Sequence, residues 1–358
     1  MEKTRLVIVG TGWRAQFYVR IAKALPELFD LVGVGYYAES EREYAEKWGA
    51  SLYKDYMEMV RAEKPEMAAV CVNRASGANL RTVSEIARTG VAVLMETPPA
   101  DTVPDMIHFY DVCKGLPIQV SEQYQFQPET AARLKIAASG ILGEVYQSRL
   151  NLPNGYHSAS VHRKFLGVGM ALPKIWSVEY QHERLICPTR AGDPTEEKMV
   201  PVTQSVYHMD FGDKQAFNDL EGDQVRCAFR GDHTAIRGTR GEIVDNDVYY
   251  MKGLEPCHFR FDRMVAGTGT NLEGGFLRGI RGPEGLILEN PFKPARLFDD
   301  EIAVATAMKK TAEFAKGGPS FYPIEEALQD AYLGLLTREA AQTGEIIQAQ
   351  HQIWMGEA

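Results

Sequence analysis

The first 120 residues alternate short apolar runs with segments in which apolar residues recur at helical spacing. The apolar runs predict strands at Leu6 to Val9, Leu31 to Gly35, Met67 to Val72, Val91 to Met95 and Pro117 to Ser121. Helices are predicted around Tyr18, Tyr44, Met57, Ile86 and Ile107. Continuous apolar strands separated by helices are typical of a parallel sheet that is covered on both faces. The pattern predicts an α/β domain whose ligand lies at the carboxyl ends of the strands.

The pattern changes after about residue 122. A helix predicted at Glu129 to Ser139 is followed by strand-like runs with more alternation of apolar and polar residues, at Glu144 to Leu152, Gln224 to Phe229, Ala235 to Arg237 and Val248 to Met251. This alternation favours an open, mostly antiparallel sheet with one covered face. Two helices, Asp300 to Ala315 and Ile324 to Thr343, are predicted near the end, separated by Gly317-Gly318-Pro319. We therefore predict an N-terminal domain over residues 1–122 and a C-terminal α+β domain over 123–358, with the helices of 300–345 packing back toward the N-terminal domain.

The first predicted strand runs directly into a glycine-rich turn, Gly10-Thr11-Gly12-Trp13-Arg14-Ala15, which fits the G-x-G-x-x-G/A dinucleotide fingerprint. In this fingerprint the first glycine allows a tight turn and the second lets a pyrophosphate approach the backbone, while the third small residue lets the helix pack on the strand. The pyrophosphate then lies at the free N–H groups of the helix. The spacing predicts a nucleotide site whose contacts include Gly10, Thr11, Gly12, Trp13, Arg14 and Ala15.

Composition narrows the classes of partner. The chain has 358 residues, a net charge of −9 and a pI near 5.5. This charge disfavours nucleic acid and anionic membrane surfaces as partners, and no apolar run reaches the roughly 20 residues that a membrane span requires. The five cysteines are widely spaced and form no C-x-x-C pair, which favours buried reduced thiols over a disulfide framework or a zinc site. The histidines and carboxylates show no ligand spacing, so no metal is expected, and we expect a cytoplasmic protein with a small-molecule ligand.

Several segments together resemble the Gfo/Idh/MocA oxidoreductases, over almost the whole chain. They are the Gly10-Thr11-Gly12 turn, Gly90 to Pro98, Gln123 to Pro128, Gly140 to Val145, Gly155-Tyr156-His157, Ile236 to Glu242 and the helix of Phe321 to Glu345. The resemblance implies a Rossmann doubly wound domain, a sheet domain whose face forms a homodimer or homotetramer, and an active site between the domains. It implies a nicotinamide cofactor and a sugar, cyclitol or related polyol as substrate.

The chain departs from this family at its catalytic positions. Where the family has Glu-Lys-Pro, with the lysine beside the nicotinamide, this chain reads Glu96-Thr97-Pro98. Two aspartates that often flank the family's histidine are replaced by Pro153 and Ser160. Oxidation of a carbinol needs a base for the hydroxyl proton. Threonine cannot serve as that base, whereas an imidazole titrates near neutrality, so the resemblance assigns the acid/base role to His157.

The remaining catalytic candidates are weaker. Tyr124 and Tyr156 flank the same site by analogy and can relay a proton or hold a substrate hydroxyl, or else simply pack. Among the basic residues after His157, we interpret His162 and Arg163 as a solvated helix face, and we consider Lys164 a candidate for the missing ammonium. Lys174 is a weaker candidate for that ammonium. The stretch Asp219 to Asp223 reads as a polar loop, from which Asp223 and Gln224 can contact polyol hydroxyls.

The choice of dinucleotide rests on the end of the second strand. An acidic residue that reads the ribose is expected there, but Tyr36 stands in its place, and Glu39 is a substitute acceptor. Arg14 and Arg42 are candidate phosphate contacts. NAD is therefore the favoured cofactor, with NADP left open. Further expected cofactor contacts are Tyr36, Asn73, Arg74, Asn79, Glu96, Thr97, Pro98 and Gln123.

Three functions remain open at this point. The first is an NAD(P)-dependent oxidoreductase that acts on a sugar, cyclitol or polyol by hydride transfer. The second is a glycosidase or lyase that retains NAD and uses transient oxidation followed by elimination, which the missing lysine favours. The third is a non-catalytic sugar- or nucleotide-binding relative. Net reduction of added cofactor would separate the first from the second.

Overall fold

The computed structural model describes residues 3–72, 77–267 and 274–356, apart from the side chain of Tyr44. The strands, numbered β1 to β18, are Thr4–Val9, Phe29–Gly35, Ser51–Tyr53, Met67–Val70, Ala92–Met95, Ile118–Val120, Val145–Leu150, Lys174–Leu185, Met199–Asp210, Gln215–Glu221, Ala235–Gly238, Gly241–Val244, Asp247–Lys252, Glu255–Arg260, Asp262–Ala266, Phe276–Gly282, Gly285–Glu289 and Ile347–Gln348. The helices, numbered α1 to α9, are Trp13–Ala24, Glu39–Ala45, Tyr56–Glu63, Ala78–Ala87, Val103–Cys113, Pro128–Ala138, Gly155–Leu166, Asp299–Ala315 and Ile324–Thr343.

The chain forms two compact units. The first comprises Met1–Thr130, Arg263–Ile280 and Leu288–Leu328, and the second comprises Ala131–Asp262, Arg281–Ile287 and Gln329–Ala358. The helix α8 thus lies in the first unit, whereas α9 begins in the first unit and continues in the second.

The first unit is built on a six-stranded sheet of order β3-β2-β1-β4-β5-β6 in which every neighbouring pair is parallel. Alternate residues of β1 enter two different cores. Leu6 and Ile8 pack with α1 and α8, whereas Val7 and Val9 pack with α3, α4 and α5. Burial on both faces accounts for the continuous apolar strands and confirms the predicted doubly wound sheet. Its strand order reverses at β1, and ligands of such sheets bind at the carboxyl ends of the strands at this point.

The second unit is built on a nine-stranded sheet of order β14-β13-β12-β11-β7-β10-β9-β8-β18. Only β7 and β10 pair in parallel, and the other described pairs are antiparallel. The helix α7 packs against β7 and β10 on one face of this sheet. The predicted open, mostly antiparallel sheet is confirmed. A further three-stranded sheet has the order β15-β16-β17.

Two predictions of secondary structure in this half of the chain are wrong. Gln224 to Phe229 is not a strand, because Gln224–Arg226 form a 3₁₀ turn in which the Gln224 amide bonds the Glu221 N–H and the Gly231 carbonyl. Asp219 to Glu221 are not part of a loop, because they continue β10 and pair with β9. The pattern of apolar and polar residues did not predict these structures, because both segments are held by hydrogen bonds to residues outside the segments themselves.

Candidate functional site

The glycine turn has the geometry that a dinucleotide requires. Gly10 has a φ of +107°, and its N–H donates to the Gly35 carbonyl at 2.9 Å. A Cβ on Gly10 would lie 2.5 Å from the Cys71 carbonyl oxygen, so the turn closes only with glycine. A Cβ on Gly12, in contrast, would have no heavy atom within 4 Å. Gly12 therefore borders open space, in which a pyrophosphate can reach the backbone.

The start of α1 completes this cradle. Gly12 is the N-cap residue, no side chain caps the helix, and its first turn contains no acidic residue. The first N–H groups of the helix and its positive end are thus available to an anion. Ala15 is fully buried, as close packing of the helix on the strand requires. The residues present fit a dinucleotide, and Thr11 and Trp13, the latter 37% exposed, border the same turn.

Arg14 is held by acidic groups of the same unit. Its guanidinium lies 3.0 Å from the Asp300 carboxylate and 3.6 Å from that of Glu96, and it packs over the rings of Trp13 and Phe17. Burial alone would lower the pKa of Arg14, but the two carboxylates raise it above its usual value. The charge of Arg14 is therefore engaged by protein carboxylates.

Glu96, which pairs with Arg14, also accepts a hydrogen bond from a buried hydroxyl group. The Tyr18 hydroxyl, on α1, donates to Glu96 Oε1 at 2.5 Å and lies 2.9 Å from Ser121 Oγ. Burial is the larger cause, and the Glu96 carboxylate the second, of a pKa of Tyr18 that lies well above its usual value. The same two causes raise the pKa of the Cys71 thiol. Glu96 thus connects the end of β5 with α1. Sequence reasoning missed Tyr18, Ser121 and Asp300, since no local motif marks them.

The other predicted nucleotide contacts also follow the carboxyl ends of strands. Thr97 and Pro98 come directly after β5. Gln123 is buried after β6, and its amide oxygen accepts a hydrogen bond from Arg14 Nη2 at 3.1 Å in the amide orientation that gives both its oxygen and its nitrogen a partner. Tyr124 begins a 3₁₀ turn next to it. The buried Asn79 amide lies 3.5 Å from the Pro99 carbonyl. Asn73 and Arg74 lie outside the described residues.

At the end of β2, Tyr36 is 8% exposed and its N–H donates to the Tyr53 carbonyl at 2.9 Å. The Glu39 carboxylate lies 3.6 Å from Arg42, on the exposed surface of α2. Arg42 also lies 3.6 Å from Glu46.

His157 belongs to the second unit, in the first turn of α7. It is 6% exposed, and its ring lies 4.3 Å from that of Tyr156, whose hydroxyl accepts from the Asn154 amide at 3.2 Å. A close backbone contact fixes this turn, because a Cβ on Gly155 would lie 2.8 Å from Gly334 Cα of α9. His157 therefore lies two residues after a close contact between α7 and α9.

The prediction that His162 and Arg163 form a solvated face is wrong. His162 is fully buried, its Nδ1 lies 2.6 Å from Ser148 Oγ, and burial lowers its pKa to about 3. Arg163 is 4% exposed and donates to the Asp330 carboxylate at 2.6 Å and to the Gly169 carbonyl at 2.7 Å. Both side chains point into the unit because α7 is covered by the sheet on one side and by α9 on another. His162 is thus a neutral core residue, and Arg163 belongs to a buried ion pair.

Breaking that ion pair should strongly destabilise the protein. Asp330→Ala leaves the guanidinium of Arg163 buried without its carboxylate, which typically costs about 3–5 kcal/mol. We expect a loss of this size in the free energy of unfolding, measured by urea denaturation. Glu242→Gln removes the partner of Arg237 from an exposed pair and should change stability by less than about 1 kcal/mol. Equal effects of the two substitutions would contradict the structural role of the buried pair.

Lys164 is exposed and lines a surface hollow of about 230 Å³ together with Leu134, Gly167 and Lys214. His157 is not among the described residues that line this hollow. Lys174 is also exposed, at the start of β8. Gln224 is engaged in the 3₁₀ turn described above, and Asp223 pairs with Arg226 at 3.0 Å.

The expectation of reduced thiols is wrong for two of the five cysteines. Cys187 and Cys227 form a disulfide, with Cα atoms 5.1 Å apart, while Cys71, Cys113 and Cys257 are free. The wide spacing hid this pair because β8 and the turn after β10 converge only in the folded sheet. Next to it, Glu221 binds Arg184 at 2.7 Å and His182 at 2.8 Å.

In the described part of the chain, no cluster of three or more His, Cys, Asp or Glu side chains is suited to hold a metal ion, and no helix is long and apolar enough to span a membrane.

Comparison with known proteins agrees with this geometry. Among solved structures, levoglucosan dehydrogenase in complex with NADH and levoglucosan has a TM-score of 0.69 at 15% identity, with 98% of this chain and 100% of that chain covered. Apo scyllo-inositol dehydrogenase from Lactobacillus casei has a TM-score of 0.65 at 18% identity, with 97% and 98% covered. An oxidoreductase from Agrobacterium radiobacter in complex with NAD+, L-tartaric acid and magnesium has a TM-score of 0.67 at 14% identity, again with 97% and 98% covered. At these identities the likeness shows a shared fold.

A search of curated proteins found no match. The match to a family comes from the N-terminal part of the chain, where residues 4–124 fit the model described as the oxidoreductase family with an NAD-binding Rossmann fold. This range contains the glycine turn, Arg14, Glu96 and Gln123. Residues 4–124 therefore match the NAD-binding Rossmann-fold model of the Gfo/Idh/MocA oxidoreductase family.

Proposed function

We propose that this protein is an NAD-dependent dehydrogenase of a sugar, cyclitol or related polyol, with His157 as the acid/base. The observation that carries the proposal is the open cradle at Gly12, within a domain of the NAD-binding family. The polyol class is supported by the fold shared with dehydrogenases of levoglucosan and scyllo-inositol. When bound, NAD would supply the hydride acceptor for oxidation of the carbinol carbon.

The protein's own groups would then bind the cofactor and remove the proton. The Gly12 backbone and the first N–H groups of α1 would hold the pyrophosphate. As the carbonyl forms, the hydroxyl proton would pass to an imidazole nitrogen of His157, because Thr97, in the place of the family's lysine, cannot accept it. The neighbouring Tyr156 would hold a substrate hydroxyl.

We propose NAD rather than NADP as the cofactor. Arg14 and Arg42 are the two cations that sequence analysis offered to a 2′-phosphate, and both are paired with carboxylates of the protein. A phosphate that approached either guanidinium would be repelled by these carboxylates. A 2′-hydroxyl imposes no such requirement.

A substrate screen tests the proposed reaction. The purified protein is incubated with NAD and a panel of cyclitols, anhydrosugars, aldoses and glycosides, while NADH absorbance and the products are both monitored. The proposal predicts NADH formation in proportion to an oxidised polyol. Cleavage of a glycoside without net NADH would contradict it, and would support the redox-neutral alternative that the missing lysine favours.

We also propose that the protein forms a homo-oligomer through the open face of the nine-stranded sheet. Strand register places Trp176, Tyr180, Val244, Tyr249 and Met251 on one face, and each is at least 37% exposed. Exposed apolar side chains that share one face of a sheet are candidates for an interaction surface.

Trp176→Glu should therefore shift the protein toward monomers, because it introduces a charge into the proposed buried contact. The mass in solution is measured by sedimentation or light scattering over a range of concentrations. Leu254→Glu is the matched control, since Leu254 is 96% exposed on the turn between β13 and β14. A wild-type protein that remains monomeric at high concentration would refute the interface.

A further inference from the structure

The loop that follows β2 carries a carboxylate that sequence analysis did not single out. Glu41, the third residue of α2, turns back along the chain so that its Oε2 accepts the N–H of Tyr37 at 2.7 Å and the N–H of Ala38 at 3.1 Å. These two residues come directly after Tyr36, which occupies the position of the expected ribose-reading acid. Glu41 thus brings a negative charge to the loop from which that acid is missing.

This loop lies beside the nucleotide turn. The Gly35 carbonyl, at the end of β2, accepts the N–H of Gly10, and only Tyr36 separates Gly35 from the N–H groups that Glu41 binds. In Rossmann domains the adenosine ribose is read at the end of this strand, by an acid for a 2′-hydroxyl or by a cation for a 2′-phosphate. The sequence position of Glu41 is unusual, but the place of its carboxylate fits the first of these two roles.

The alternative acid, Glu39, and the nearby Arg42 are already engaged in ion pairs. Glu39 faces Arg42 on the surface of α2, and Arg42 is further held by Glu46. The side chain of Tyr37 contacts Thr82 and lies within the electrostatic reach of both Glu41 and Arg81. Arg81 is thus a cation close to this loop that a 2′-phosphate could use, and it has to be tested directly.

We propose that Glu41 determines cofactor specificity, by accepting a hydrogen bond from the ribose 2′-hydroxyl of NAD and repelling the 2′-phosphate of NADP. This inference rests on the assignment of the dinucleotide site, but not on the identity of the substrate. Since a 2′-phosphate carries nearly two negative charges, its approach to the Glu41 carboxylate is unfavourable. The same carboxylate also caps α2, so a useful variant has to remove its charge and keep the cap.

Glu41→Gln meets that condition, because the amide oxygen can still accept both N–H groups. Binding of NAD, NADP, AMP and adenosine 2′,5′-bisphosphate is measured by calorimetry for the wild type and for Glu41→Gln, Glu39→Gln and Arg81→Ala. Glu43→Gln, at an exposed position of the same helix, is the matched control, and thermal melting verifies that every variant is folded.

We expect the wild type to bind NAD about 100-fold more tightly than NADP, and Glu41→Gln to reduce this ratio at least about tenfold, with a parallel change between AMP and the bisphosphate. Glu39→Gln, Arg81→Ala and Glu43→Gln should leave the preference for NAD in place. An unchanged ratio in Glu41→Gln, or an equal change in Glu39→Gln, would overturn the role of Glu41. Failure of the wild type to bind any of the four nucleotides would overturn the dinucleotide site itself, and with it this inference.

Discussion

The Gly12→Val variant is expected to lose NAD binding by about 100-fold or more while it keeps the stability of the wild type. A side chain at Gly12 meets no protein atom within 4 Å, and the φ of this residue is −66°, which any L-residue adopts. The valine would instead fill the space that the pyrophosphate needs in order to reach the N–H groups of α1. Calorimetric titration with NAD measures the first effect and thermal melting the second.

Gly10→Ala provides the matched comparison at the other glycine of the turn. Here the φ is +107° and the new Cβ would lie 2.5 Å from the Cys71 carbonyl oxygen. The substitution should therefore lower the free energy of unfolding by more than about 1–3 kcal/mol, because backbone strain and a steric clash add. If Gly12→Val binds NAD normally, the cradle is not the pyrophosphate site.

The second large effect is expected at His157. His157→Asn should lower kcat for the identified polyol by about 10²–10⁴-fold, the usual contribution of a general base. NAD binding should stay unchanged, since His157 is not part of the glycine turn. Steady-state kinetics and a separate NAD titration distinguish the two quantities.

His233→Asn is the control for this substitution, because the side chain of His233 is 72% exposed in the same unit. It should retain wild-type kcat. Wild-type turnover by His157→Asn would assign the proton transfer to another group, and Tyr156, whose ring contacts His157, would be the next residue to test.

Local sequence was sufficient to predict most of the six-stranded sheet of the first unit. Its strands β1, β4 and β5 are buried on both faces and read as unbroken apolar runs, whereas the short, partly exposed β3 was not predicted. The geometry of Gly10 and Gly12 depends on a single short turn. The pairing of Arg14 with Asp300 could not be predicted, because 286 positions separate the two residues. The Tyr18–Glu96 contact spans 78 positions and has no motif either.

The second unit was predicted less well, for a related reason. His162 and Arg163 are polar residues on a helix and were expected in solvent, but tertiary packing buries both and supplies Ser148 and Asp330 as their partners. The Cys187–Cys227 pair, 40 positions apart, likewise depends on the sheet that brings its two segments together. Partners of this kind are specified by the fold, and periodicity along the chain does not reveal them.

The most direct test of the account is whether the protein binds NAD. Freshly purified protein is denatured and its released small molecules are analysed by mass spectrometry, and the nucleotide-free protein is then titrated with NAD by calorimetry. We expect a single NAD per chain, either retained through purification or bound saturably on titration. A protein that releases no nicotinamide dinucleotide and shows no binding at millimolar NAD would contradict the assignment.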